Sequence, residues 1–127
     1  MATVELSKDN FEKVIMESPM VVVDFWAPWC GPCRSFAPIY DRAAEAHQDV
    51  VFGKVNTEQE QELAGAFNIR SIPTLMVFRE KVVLFQQAGA LPASALEQVI
   101  TQAKSLDMAK VHQEIAERDQ QGEQKQA

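Results

Sequence analysis

The residues most able to do chemistry are the chain's two cysteines, Cys30 and Cys33, in the stretch FWAPWCGPCRSFAP at 25–38. A cysteine pair separated by two residues fits three chemistries: a zinc site, a structural disulfide, or a dithiol that cycles with a disulfide. A closed structural zinc site needs four nitrogen or sulfur ligands. The only histidines, His47 and His112, are distant from the cysteines and from each other. The sequence therefore disfavours zinc, and we expect no metal.

The neighbours of the cysteines favour the cycling dithiol over an inert disulfide. Closing so small a loop stabilises a fold only modestly. A predicted strand-to-helix junction places Cys30 at a helix N-terminus, where free amides and the helix dipole stabilise a thiolate. Cys33 follows one turn later, within reach of a mixed disulfide on Cys30. Pro32 suits a first helical turn, and Gly31 leaves room for a partner chain. No basic residue lies between the cysteines, which favours a reducing pair.

The elements that must position this pair follow from hydrophobic periodicity and turn residues. Ser7 is the predicted N-cap of a first helix, and Thr57 with Glu60 has the spacing of a capping box. Asn68 is expected to end that later helix in the left-handed conformation. The predicted order begins with a helix from Ser7 to Glu17, a strand at 20–25, a helix at 31–47 and a strand at 50–55. It continues with a short helix that Thr57 opens and that carries Leu63, Ala64 and Phe67, strands at 74–78 and 82–86 joined at Glu80-Lys81, and a helix from Pro92 or Ser94 to about 103.

This order predicts an α/β fold, with a mixed sheet and helices on both of its faces. The apolar strand before Cys30 is expected to be central. The cysteines then lie at its carboxyl end, where open α/β sheets place their sites.

Length and charge limit the function classes. The 127 residues fit one compact domain. Twelve basic and 18 acidic residues give a formal net charge of −6, which disfavours nucleic acid and anionic membranes as partners. The first residues, MATVELSKDN, have neither a basic segment nor an apolar run, and no apolar stretch approaches the roughly 20 residues of a membrane helix. We therefore expect a cytoplasmic protein.

Four motifs together resemble the thioredoxin family. They are Val-Asp-Phe-Trp-Ala at 23–27, Trp-Cys-Gly-Pro-Cys at 29–33, Ile-Pro-Thr at 72–74 and Gly-Ala-Leu at 89–91. The resemblance runs from about Ser7 to Ser105. It implies the thioredoxin fold, with a central mixed sheet of four to five strands flanked by about four helices, in a domain of residues 1–105.

The resemblance also implies catalytic roles. Cys30 is the attacking nucleophile and Cys33 the resolving thiol. Asp24 matches a buried aspartate that helps to deprotonate the resolving cysteine, and Lys54 matches a lysine near that aspartate. The residues themselves agree at Asp24, because a carboxylate within a buried strand is costly unless it has a partner or a task, and desolvation raises its pKa.

A second set of matched residues implies an apolar surface around an exposed sulfur, which receives an extended substrate segment. Pro73 matches a cis-proline beside the cysteines. The set consists of Trp29, Gly31, Pro32, Ile72, Pro73 and Gly89.

The activity implied by the resemblance is the reduction of disulfides in protein substrates, without a metal or an organic cofactor. The oxidised protein would be reduced again by a flavin-containing, NADPH-dependent reductase, and we expect a monomer. The alternative is an interaction module or co-chaperone of the same fold, whose C-terminal extension docks a partner.

That extension, residues 106–127, lies beyond the resemblance. Ser105 or Asp107 can cap a new helix of about 12 residues, in which Met108, Val111 and Ile115 form an apolar stripe. The final residues, QQGEQKQA, are low in complexity, and we expect a disordered tail there.

Overall fold

The structure is a computed structural model that describes the backbone of residues 2–126 and the side chains of residues 2–121. Over this range it contains five strands and five helices. In chain order they are β1 Thr3–Glu5, α1 Phe11–Glu17, β2 Met20–Trp26, α2 Gly31–Ala46, β3 Val51–Asn56, α3 Gln61–Ala66, β4 Thr74–Arg79, β5 Val82–Ala88, α4 Ala93–Ser105 and α5 Met108–Gln126.

The sheet is mixed, as the sequence predicts, with the strand order β1-β3-β2-β4-β5 over the described residues. Strands β1, β3 and β2 are parallel, and β4 and β5 run antiparallel to their neighbours. The apolar strand before the cysteines, β2, is central, with β3 on one side and β4 on the other. Strand β1 is missing from the sequence prediction, because three residues at a sheet edge, two of them exposed, leave no periodic pattern.

Side chains of β2 alternate between two apolar cores. Met20 and Val22 face α2 and α4, whereas Val21, Val23 and Phe25 face α1 and α3. By this alternation Asp24 lies on the face covered by α2 and α4. Helix α2, which carries Cys33 at its start, therefore packs over the strand that carries Asp24.

Two predicted helix caps are wrong. Helix α1 begins at Phe11 rather than after Ser7, because the Ser7 amide donates to Asn10 Oδ1 at 2.7 Å and closes a separate turn. The Thr57–Glu60 capping box does not form, because the Glu60 amide donates to the Asn56 carbonyl at 2.9 Å, while the Thr57 hydroxyl donates to the Trp26 carbonyl at 3.1 Å. Neither Asn10 nor Glu60, the observed N-caps of α1 and α3, makes a side-chain cap bond.

Two predicted backbone features are confirmed. Asn68 has a φ of 56°, in the left-handed region that the sequence predicts for the end of the helix before it. Glu80 and Lys81 have φ values of 51° and 71° and form the tight turn between β4 and β5.

The extension forms α5, which begins after Asp107. The Asp107 carboxylate accepts a hydrogen bond from the Lys110 amide at 3.2 Å, so the predicted cap is confirmed. Met108 is buried, and Val111 and Ile115 are half-buried. The helical backbone continues to Gln126, through residues for which the sequence predicts a disordered tail. Glutamine, glutamate and lysine are good helix formers, so a polar, low-complexity stretch still extends a helix that is already nucleated.

Candidate functional site

Cys30 lies at the junction between the loop after β2 and the start of α2. It is the N-cap of α2, and its Sγ accepts a hydrogen bond from the Cys33 amide at 3.2 Å. Cys30 and Cys33 are joined as a disulfide. The central strand and the helix N-terminus thus bring both sulfurs to one place, as the spacing predicts.

The exposure of the attacking cysteine differs from expectation. Cys30 is 5% exposed and Cys33 is 2% exposed, so both are buried in this oxidised form. Cys30 Sγ turns toward the inside, where it bonds to Cys33 and lies 3.8 Å from the carbonyl oxygen of Ile72. Access to the pair is from the side of Trp29, which is 63% exposed, and of the exposed Gly31 and Pro32.

Two further loops border the disulfide. Ile72 packs against the cysteines and Ala27, and the Ile72–Pro73 peptide bond is cis. The Gly89 amide donates to the Pro73 carbonyl at 2.7 Å, which joins the loop before β4 to the loop after β5. Gly89 has a φ of 104°, a conformation that residues with a Cβ rarely adopt. The predicted set of six rim residues therefore occupies three neighbouring segments, which are the end of the loop before α2 with the first turn of α2, the loop before β4 and the loop after β5.

Glu58 is a rim residue that the sequence reasoning missed. Its carboxylate accepts a hydrogen bond from Trp29 Nε1 at 2.6 Å. The Glu58 amide is in turn held by Asn56 Oδ1 at 3.0 Å. The feature that could have identified Glu58 is its position just after the carboxyl end of β3, the strand beside β2.

Asp24 is buried, with 1% exposure, in the middle of β2. Among the described residues neither of its carboxyl oxygens has a hydrogen-bond partner. Loss of water around the carboxyl raises the pKa of Asp24 to about 7; Lys54 lowers it and Asp41 raises it by smaller amounts. Such a group changes its protonation near neutral pH.

Lys54 lies directly beside Asp24, because the two residues are paired in the parallel register of β3 and β2. The Lys54 ammonium lies 4.8 Å from the centre of the Trp26 ring, a cation–π arrangement. Trp26 is half-buried, and its ring contacts the Lys54 ammonium. Asp24 and Lys54 are therefore neighbours, as predicted, and the Lys54 ammonium lies over the Trp26 ring.

Tyr40 is a second buried polar group on this face, and the sequence analysis does not single it out. Its hydroxyl lies 2.7 Å from the carbonyl oxygen of Gly53 and 3.0 Å from that of Val22. Burial, and then the charges of Asp24 and Asp41, hold the pKa of Tyr40 well above its usual value. The hydroxyl is therefore neutral at physiological pH.

Within the part of the chain that the structure describes, no three metal-ligating side chains come together. In the same range, no helix has the length and apolar character needed to cross a membrane.

Comparisons with known proteins agree on one family. Residues 2–102 match the family model described as Thioredoxin. The putative thioredoxin 2 of Streptomyces coelicolor is 55% identical over 120 residues, which cover 94% of this chain and 90% of that relative. Thioredoxin 1 of Nostoc sp. is 39% identical over 101 residues, 78% of this chain and 94% of that one. A solved structure of a mutant thioredoxin from Halobacterium salinarum matches with a TM-score of 0.76 at 28% identity, over 82% of this chain and 92% of that one.

The Streptomyces match also extends past the family model. It leaves about seven of the 127 residues outside, so it includes most of α5, whereas the family model ends at residue 102. The similarity to that relative therefore includes the extension.

Proposed function

The chain belongs to the thioredoxin family and is a thiol–disulfide oxidoreductase that reduces disulfides in protein substrates. We propose which of its residues performs each step of this reaction. The observation that carries the function is the Cys30–Cys33 pair, bonded at the N-terminus of α2. The alternative of an interaction module with incidental cysteines is not favoured.

Cys30 performs the first step as a thiolate. It attacks one sulfur of a substrate disulfide, forms a Cys30–substrate mixed disulfide, and releases the other substrate sulfur as a thiolate that takes up a proton. The Cys33 amide, which donates to Cys30 Sγ at 3.2 Å, and the dipole of α2 stabilise the attacking charge.

Cys33 performs the second step, with Asp24 as its base. Asp24 accepts the Cys33 proton; the Cys33 thiolate then attacks Cys30 Sγ, and the second substrate sulfur leaves as a thiolate. The substrate gains two electrons and the enzyme keeps the Cys30–Cys33 disulfide. A pKa of about 7 suits Asp24 to accept and return a proton near neutral pH. Lys54 assists by favouring the charged carboxylate.

Substrate binding is assigned to the rim around the disulfide. Trp29 supplies an exposed aromatic surface, Gly31 and Pro32 leave the approach to Cys30 open, and Ile72 supplies an apolar wall. Pro73 and Gly89 complete the rim through their hydrogen bond. An extended substrate segment fits a surface that is apolar at its centre and bordered by backbone.

The family implies disulfide-containing protein substrates and a reductase that regenerates the dithiol. We assign that reductase to the NADPH-dependent, flavin-containing class, and place the reaction in the cytoplasm with the protein as a monomer. The catalytic domain is residues 1–105, and residues 106–127 are an extension outside the chemistry.

Insulin reduction coupled to NADPH oxidation by a thioredoxin reductase tests the function. The wild type should turn over, and Cys30→Ser should be inactive. Cys33→Ser should accumulate mixed disulfides with insulin, because attack still occurs and resolution does not. Release of substrate from Cys33→Ser at the wild-type rate would contradict the two-step scheme.

A further inference from the structure

Tyr40 connects the helix that carries Cys33 to the two strands beside Asp24. It is fully buried on α2, seven residues and about two turns after Cys33, and both side chains belong to the buried face of that helix. Its hydroxyl reaches the carbonyl of Gly53 on β3 and the carbonyl of Val22 on β2. One side chain thus joins three elements at a single point.

This point is next to the Asp24–Lys54 pair. Val22 precedes Asp24 by two residues and faces the same side of the sheet, and Gly53 immediately precedes Lys54. A phenylalanine would fill the same apolar space, with Phe36 at 5.8 Å and Phe52 at 5.4 Å between ring centres. The hydroxyl is therefore an added polar group in a core, and burying it is costly unless it makes these bonds.

Helix α2 has a reason to need such a tether. Pro38 lies inside the helix and has no amide hydrogen, so the carbonyl of Arg34 lacks its usual partner four residues on. The first turns, which hold Cys30 and Cys33, are therefore less firmly joined to the rest of α2. Tyr40 lies two residues after this break, on the side that faces the sheet.

We propose that Tyr40 is a positioning residue of the thiol–disulfide exchange, whose hydroxyl fixes α2, and with it Cys33, over the seam between β2 and β3 where Asp24 lies. The proposal rests on the roles assigned above to Cys33 and Asp24. Tyr40 does not touch the reacting sulfurs, and it acts through the helix and the strand carbonyls.

Loss of the hydroxyl has an electrostatic consequence as well. The carbonyls of Val22 and Gly53 would lose a donor, which leaves more uncompensated negative charge near Asp24. The charged and titratable groups around Asp24 are Lys54 on β3 and Asp41 and Tyr40 on α2, together with the Cys33 thiol of the reduced protein, whose proton Asp24 accepts in the mechanism proposed above. Without this donor, protonated Asp24 should persist to higher pH.

Tyr40→Phe tests the proposal in a single turnover with Ellman's reagent, followed by stopped flow from pH 5 to 9. The first release of thionitrobenzoate reports attack by Cys30, and the second reports resolution by Cys33. We expect the first rate to stay within about twofold of wild type and the second to fall by about fivefold. The pH midpoint of the second rate should rise by about half a unit.

Phe11→Leu is the matched control, because Phe11 is buried in the core on the opposite face of the sheet. It should lower the unfolding midpoint without changing either rate or the pH midpoint. A Tyr40→Phe resolution rate and pH midpoint equal to those of this control would overturn the proposal. Asp24→Asn, measured in parallel, separates the proposed base role of Asp24 from the proposed positioning role of Tyr40. A normal rate of resolution in Asp24→Asn would contradict the role of Asp24. The role of Tyr40 would then be judged on the resolution rate of Tyr40→Phe alone.

Discussion

Asp24 makes the stability of this protein depend on pH. Its folded-state pKa of about 7 is above the ordinary value of 3.8, so between these pH values the folded chain binds more protons than the unfolded chain. The free energy of unfolding therefore falls as the pH rises from about 4 to 7 and stays reduced above that. A shift of about three units corresponds to roughly 4 kcal/mol at most.

Asp24→Asn should remove this dependence. We expect the variant to be more stable than the wild type at pH 8, by less at pH 5, and to resolve mixed disulfides more slowly because the base for Cys33 is lost. Urea denaturation at both pH values, with a turnover assay alongside, measures both effects. A variant that is destabilised at pH 8 and fully active would make Asp24 a structural residue.

The two cysteines should differ in reactivity once they are reduced. Cys30 is the helix N-cap, where the Cys33 amide and the helix dipole favour its thiolate, whereas Cys33 lies inside the first turn at 2% exposure. We expect iodoacetamide to label Cys30 first at pH 7, as measured by peptide mass spectrometry. Because both residues are buried in the disulfide form, this order depends on charge stabilisation more than on exposure. Faster labelling of Cys33 would reverse the assigned roles.

Among the elements, the β4–β5 turn holds two residues in an unfavourable backbone conformation. Glu80 and Lys81 both have positive φ, which a Cβ makes costly. Glu80 also accepts a hydrogen bond from His112 Nε2 at 3.2 Å, so it links the turn to α5. Lys81 makes the better test site, since its replacement leaves this link in place.

Lys81→Gly should raise the free energy of unfolding by about 1 kcal/mol, because glycine adopts positive φ without a steric cost. Lys81→Ala is the control: it removes the same charge, keeps the Cβ and should not stabilise. Chemical denaturation compares the three proteins. Turnover should be unchanged, because the turn lies at the other end of β4 from Pro73. Equal stability of the two variants would show that backbone strain does not limit this turn.

Most elements are predictable from the sequence because their signals are local. Strand β2 is a continuous apolar run, and Pro32 marks the start of α2. The wrong caps at Ser7 and Thr57 have a common cause. The Ser7 amide bonds to the side chain of Asn10, and the Thr57 hydroxyl bonds to the Trp26 carbonyl on another strand. Such competition among polar groups is decided by the surrounding fold.

A site residue can be predicted from the sequence when it belongs to a motif or when its residue type is unusual for a buried position. The cysteine pair and the buried carboxylate at Asp24 follow from residue type and position. Glu58 and Tyr40 do not follow in this way. The Glu58 contact joins the loop after β3 to the loop before α2, and the Tyr40 contacts join α2 to β2 and β3. Contacts across elements depend on register and helix placement, which periodicity along one chain does not specify.

At the scale of the whole molecule, the extension and the redox site lie at opposite ends of β4. The strand begins after Pro73, at the disulfide rim, and ends at Arg79, six residues and roughly 20 Å away. Arg79 Nη1 donates to the carbonyls of Ala103, Lys104 and Leu106 and so closes the end of α4. Helix α5 starts from this capped end.

The contacts of α5 are concentrated in its first two turns. Met108 is 5% exposed, His112 bonds to Glu80, and Val111 and Ile115 are half-buried. From residue 116 to 121 every described side chain is exposed. The stripe at the start of α5 therefore packs on the protein's own domain, and the later turns add no burial within the described range.

Truncation after Ser105 should consequently separate stability from catalysis. It removes the buried Met108, the Glu80–His112 bond and one carbonyl bound by Arg79. We expect a loss of about 2 kcal/mol and a melting temperature lower by about 5 °C or more, with insulin reduction near normal below the transition. Truncation after Ala116 is the control, because it removes only the later turns and should leave the melt unchanged. Light scattering on the three proteins reports whether the mass changes. Lost turnover in the shorter form would place the extension in the redox site, and an unchanged melt would mean that the Met108 contact contributes nothing to folding.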